Sequence, residues 1–163
     1  MSPPSLAIDT RHVGDLTEVA LRGSIDERFD LVQWGQDLAS PLVIDLGGVE
    51  LINSAGMSQW VHFLSEAVAR GPVVLQRCSE PMVTLFSMVT DAVAGATVES
   101  LQAHYECDRC GREEVIELVV ARDLAGRTPD GNAVMPERPC PRCDGLLRFA
   151  GHPERYLAFL KDE

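Results

Sequence analysis

Apolar and polar residues alternate between Val13 and Gly23, where Leu16, Val19 and Leu21 approximate the period of a half-buried strand. Leu6 to Ile8 supplies a short partner strand before a Gly14-Asp15 turn. The pattern then shifts toward helical spacing: Ser24 or Asp26 can cap a helix running to about Leu38, with Ile25, Phe29 and Val32 inward, and Pro41 closes the connection. Leu42 to Leu46 is a short apolar run of the kind found in interior parallel strands. After Gly47-Gly48 and Val49–Asn53, residues Met57, Trp60, Val61, Leu64, Ala67 and Val68 recur at intervals of three and four, predicting a second helix that ends at Gly71-Pro72. Val73-Val74-Leu75 predicts another buried strand. Ser79 and Pro81 start a third helix with Met82, Leu85, Phe86 and Val89 along one side, and Ala96–Val98 is a last short strand. Strands separated by helices in this order predict an α/β fold, a mixed sheet with crossover helices.

The character of the chain changes after about Gln102. Cys107-x-x-Cys110-Gly111 and Cys140-Pro141-x-Cys143 flank a strand-like run, Val115–Val120, and a polar stretch, Asp123–Glu137. This predicts a first domain over residues 1–103 and a second module over 104–163, the boundary lying between Ser100 and His104. Pro153, Tyr156, Leu157 and Leu160 mark a short amphipathic helix within the second module.

The two Cys-x-x-Cys pairs, 29 residues apart, supply four soft ligands suited to tetrahedral Zn²⁺. The two-residue gaps let each tight knuckle aim both sulfurs at one ion, and Gly111 and Gly145 fit the chain reversal after each knuckle. With Cys107, Cys110, Cys140 and Cys143 all bound, the site is closed and structural, with no position left for a reactive water. An iron centre and a redox-active cysteine pair are the alternatives. His104 and His152 are surplus to a four-thiolate set, and Cys78 reads as a small buried hydrophobe.

The chain has 163 residues and a formal net charge of −11, from 14 basic and 25 acidic side chains. That field repels phosphate backbones and anionic lipid at long range. Arg109, Arg112, Arg138, Arg142 and Arg148 surround the knuckles, but Glu106, Asp108, Glu113, Glu114, Glu137 and Asp144 interleave with them, which favours a solvated or protein-binding surface over one that binds nucleic acid. No run approaches the roughly 20 apolar residues of a membrane span, and no basic-then-apolar leader is visible at Met1–Asp9. With the odd cysteine count, this gives an expectation of a reduced, cytoplasmic setting.

The segment Asp45-Leu-Gly-Gly-Val-Glu-Leu-Ile-Asn-Ser-Ala-Gly-Met57 places small polar residues between a core strand and a helix start. Asn53 or Ser54 can cap the helix, Gly56 permits close packing, and backbone N–H groups there suit an anion. No paired catalytic carboxylates, serine triad or phosphate-loop motif accompanies it.

Residues 6–100 resemble the STAS domain, the fold of bacterial anti-sigma factor antagonists, through Leu21-Arg-Gly-Ser-Ile-Asp26, Leu42-Val-Ile-Asp-Leu-Gly-Gly-Val49 and Ile52-Asn-Ser-Ala-Gly-Met57. The resemblance aligns Asn53 with the family's aspartate and Ala55 with its phosphoacceptor, so this chain departs from the family at its regulatory hydroxyl. It implies a STAS-like mixed sheet; together with the four-cysteine zinc ribbon read from the cysteine spacing and the lack of a nucleophile–base pair, it gives the expectation of a noncatalytic protein-interaction adaptor or regulator. Asn53, Ser54, Ser58, Gln59 and His62 are the candidate partner-binding residues. The expected partner is a protein; the alternative function is transcription-associated nucleic-acid binding through the ribbon. Self-association is left open.

Overall fold

The computed structural model describes residues 3–93 and 95–160. A five-stranded sheet has the order β1 (Ala7–Val13), β2 (Leu16–Ile25), β3 (Leu42–Ile52), β4 (Val73–Gln76) and β5 (Thr97–Val98). β1 and β2 form an antiparallel hairpin, while β2 to β5 are mutually parallel, so the sheet is mixed. Parallel neighbours need crossovers. These contain α1 (Leu31–Gly35), α2 (Ser54–Arg70) and α3 (Glu80–Met88).

One face of the sheet carries Val19, Leu21, Leu42, Ile44, Leu46, Val73 and Leu75, all buried where α2 and α3 pack on β3. The opposite face carries Glu18, Ala20, Val43, Asp45, Val74 and Gln76, all half-buried. A period of two therefore separates the core from a half-buried face of mixed polarity. Above the buried face, ring contacts run Trp34–Phe63–Trp60–Phe86–Phe159, with centroids 6.3, 5.7, 6.5 and 5.8 Å apart. Trp60 also donates its indole N–H to the Ala92 carbonyl at 2.8 Å, which satisfies the one polar atom of a fully buried ring.

A second sheet has the order β7-β6-β9-β8, from β6 (Ser100–Cys107), β7 (Glu113–Val119), β8 (Arg138–Pro139) and β9 (Leu146–Phe149). Two short helices, α4 (Val120–Asp123) and α5 (Pro153–Tyr156), and a 3-10 turn at Ala158–Leu160 complete it. Only Glu99 separates β5 from β6, so the expected boundary at 103/104 falls inside β6. Leu101, Ala103 and Tyr105 of that strand belong to the same buried cluster as the first sheet. A bridge between Cys78 and Leu101 joins the two sheets.

Two expectations need correction. The first helix does not run from residue 24 or 26 to Leu38. Ile25 belongs to β2, and Asp26 turns back to accept the Arg28 N–H at 3.0 Å, which delays the helix to Leu31. The third strand does not stop at Leu46. It continues through Gly47-Gly48 to Ile52 because β2 stays paired with it, through register shifts after Ala20 and Gly23. These glycines make room for arginines: a Cβ on Gly48 would lie 2.4 Å from Arg22 Cγ, and one on Gly47 would lie 2.8 Å from Arg77 Cζ. The third helix starts as expected, with Ser79 at its N-cap and Pro81 in its first turn, although Ser79 makes no side-chain cap bond.

Candidate functional site

β6 ends in Cys107, and the chain turns immediately. The Gly111 N–H reaches the Cys107 carbonyl at 3.2 Å, with Gly111 at φ +76°, a left-handed position that suits glycine. Inside this knuckle the N–H groups of Arg109 and Cys110 both point at Cys107 Sγ, each at 3.4 Å. The second knuckle hangs between β8 and β9, where the Cys140 N–H bonds the Gly145 carbonyl at 3.0 Å and the Gly145 N–H points at Cys143 Sγ at 3.2 Å. Pairing of Cys107 with Leu147, and bonds from Asp108 N to Leu146 O and from Leu146 N to Asp108 Oδ1, both 3.0 Å, hold the knuckles face to face.

This arrangement brings all four expected ligands together. The sulfurs of Cys107, Cys110, Cys140 and Cys143 lie within 4.8 Å of one another, with Cys107–Cys143 at 3.4 Å and Cys110–Cys140 at 3.7 Å. Those separations are far beyond a disulfide bond of about 2.05 Å. They match the edges of a tetrahedron, about 3.8 Å for metal–sulfur arms of about 2.3 Å. The set can hold one metal ion. Gly145 serves it differently from Gly111: it has no left-handed φ, but a Cβ there would sit 2.9 Å from Cys107 Sγ and 2.7 Å from Arg109 Cβ. Close approach of the two knuckles requires glycine at this position.

Without an ion, Cys107 and Cys143 are shifted in opposite directions. The Cys110 N–H foremost, then that of Arg109 and the thiol of Cys143, pull Cys107 down to about 6. At Cys143 the Gly145 N–H favours the thiolate but is outweighed by burial and the neighbouring thiols, which push it up to about 12. A bound dication would override that difference, because every coordinated sulfur is then stabilised as thiolate.

Most arginines around the knuckles face carboxylates: Arg109 lies 3.9 Å from Asp144, Arg112 3.6 Å from Glu114, Arg138 3.2 Å from Asp123, and Arg148 2.7 Å from Glu137. Cys78, outside the cluster, is fully buried, and burial pushes its thiol far above the ordinary range. His104 pairs with Glu80 at 2.9 Å, away from the four sulfurs.

The other candidate residues cluster at the start of α2. The cap is Asn53, whose Oδ1 accepts the Gly56 N–H at 2.9 Å, while Ser54 is an exposed first helical residue. Asn53 Nδ2 also donates to Glu27 Oε2 at 2.8 Å, which lowers the Glu27 pKa. Ala55 is exposed beside it. Gly56 is locked in place: a Cβ there would lie 1.9 Å from the Ile25 carbonyl oxygen.

Gln59 does not face outward as expected. Its Oε1 accepts the Leu31 N–H at 2.7 Å and its Nε2 donates to the Asp26 carbonyl at 2.9 Å, tying α1 to α2. Ser58 and His62 are exposed and line a groove of about 500 Å³ with Met57, Val61, Leu85 and Val89. The Asp26–Arg28 pair was not singled out from sequence. Asp26 is only 6% exposed and accepts the Arg28 Nη2 at 2.7 Å; the Asp-x-Arg spacing was its sole signal.

No protein-family profile matches the chain, and a search among curated proteins returns no match. Among the described residues no helix is long and apolar enough to cross a membrane.

Proposed function

We propose that the chain is a noncatalytic protein-interaction adaptor or regulator: a STAS-like domain, residues 1–103, joined to a zinc-ribbon-like module, residues 104–163, with Zn²⁺ held by Cys107, Cys110, Cys140 and Cys143. Four thiolates complete a tetrahedral shell and leave zinc no position for substrate, so the ion's contribution is stability. The four parallel strands and the helix that starts after Asn53 are in keeping with a STAS-like reading. At the phosphoacceptor position Ala55 offers no hydroxyl, and binding would proceed without a phosphorylation switch there.

The observation that carries the interaction reading is the groove between α2 and α3. Exposed Ser58 and His62 supply directional polar contacts beside apolar Met57, Val61, Leu85 and Val89. An apolar groove with a polar rim is the composition of a protein-binding surface. Pairing of most knuckle arginines with carboxylates weighs against the alternative, nucleic-acid binding through the ribbon. The test is affinity capture from native lysate with Ser58→Arg/His62→Glu and, separately, Arg109→Gln/Arg112→Gln/Arg142→Gln, each verified as folded by circular dichroism. Loss of captured protein in the first variant and retention in the second is expected. Selective loss in the second, with salt-sensitive nucleic-acid binding, would move the function to the ribbon.

A further inference from the structure

β1 lies at the edge of the five-stranded sheet, where β2 is its only strand neighbour among the described residues, and every residue of it except Ile8 is exposed. Its outer N–H and C=O groups are a template for another strand. We infer that this edge pairs with β1 of a second copy of the chain, antiparallel about a two-fold axis at Thr10, joining two five-stranded sheets into one. This goes beyond the adaptor reading and does not depend on it.

The strand's own charges select the register. In an antiparallel pair, only residues whose backbone groups point the same way face each other, so a two-fold axis must pass through a residue position. An axis at Asp9 sets Asp9 against Asp9 of the second copy, and one at Arg11 sets Arg11 against Arg11. An axis at Thr10 pairs Asp9 with Arg11 of the second copy, twice by symmetry. It also uses the whole of Ala7–Val13, with Ala7 opposite Val13, Ile8 opposite His12 and Thr10 opposite Thr10. Like charges directly opposite are destabilising, while opposite charges and Thr–Thr pairs are favourable.

The hairpin extends this match. Asp9 is bridged to Arg22, and Arg11 to Glu18, all on the open face of the sheet. Dimerisation would line up Arg22, Asp9, then Arg11 and Glu18 of the second copy, a row of alternating sign, and the two-fold axis repeats it. The side chains of Asp9 and Arg11 are 66% and 75% exposed, so they are free to extend across the edge. Their local balance also matters because two chains of net charge −11 otherwise repel.

Sedimentation velocity on the full chain, from micromolar to millimolar concentration, tests the inference. A reversible dimer is expected at low ionic strength, weakening in about 1 M salt, where the Debye length falls to about 3 Å. Asp9→Arg and Arg11→Asp each place like charges opposite and should weaken dimerisation about tenfold. Mixing the two variants restores opposite charges at both pairs and should return a heterodimer of wild-type affinity, an outcome that misfolded variants cannot give. A wild-type chain that stays monomeric, a dimer indifferent to either variant, or a mixture that fails to associate would each overturn the proposal.

Discussion

Asp26 shows how one carboxylate shapes the response to acid. Its hydrogen bonds from the Arg28 guanidinium foremost, then from the Arg28 N–H, hold its pKa below the ordinary aspartate range. A depressed carboxylate adds stability above its unfolded value of about 3.9, and that contribution disappears as pH falls through the folded value. Urea midpoints should therefore fall below pH ~4 more steeply in wild type than in Asp26→Asn, with the two curves converging at the acid end. Equal slopes would show that Asp26 is not the titrating group. At this scale the sequence was most legible where chemistry needs a fixed spacing: the four cysteines, predicted as one set by type and interval, come together closely enough to hold a metal ion. It was least legible where a side chain satisfies a distant backbone. Nothing local to Gln59 indicates that its amide will serve Leu31, at the start of α1, and Asp26, in the connection before it.

The entry of α2 depends on Gly56, which lets the helix start lie against the end of β2. Gly56→Ala forces a Cβ into the Ile25 carbonyl, a backbone atom that cannot rotate away. Overpacking of this kind should cost about 3 kcal/mol, read as a lower urea midpoint at unchanged slope. A loss under about 0.5 kcal/mol, the scale of a neutral surface change, would show that the helix start can shift. Strong periodicity made α2 and the strand at Val73–Leu75 legible, since burial of a stripe or a short apolar run is written locally. By contrast, Gly47-Gly48 reads as punctuation until the neighbouring strand is known. Pairing of Arg22 with Gly48 and of Gly23 with Val49 carries β3 past them, and that information lies in β2. The five-residue α1 was overextended for a related reason: Ile25 stands at helical spacing from Phe29 and Val32 but pairs with Ile52 in the sheet.

For the molecule as a whole, the shared core changes what metal loss should do. Tyr105, two residues before Cys107, buries its ring in the cluster that also holds the core of the first sheet and donates its hydroxyl to the Pro136 carbonyl at 2.6 Å. Across the two parts, Ser87 of α3 donates its hydroxyl to the Tyr156 carbonyl at 2.8 Å. One zinc per chain is expected by native mass spectrometry. Its removal by chelator, or Cys110→Ser, should lower the thermal midpoint of a single cooperative transition seen by both far-ultraviolet circular dichroism and tryptophan fluorescence. Two separated transitions would restore an independent ribbon. The tail contact on α3 also has a consequence for synthesis. Ser87 accepts the Phe159 N–H at 3.4 Å across a separation of 72 residues, and Phe86 meets the Phe159 ring. At about 5–20 residues per second, α3 emerges roughly 4–14 s before the segment that covers it. During that interval Phe86 lacks its covering ring, which makes α3 a stretch where a nascent chain would benefit from a chaperone.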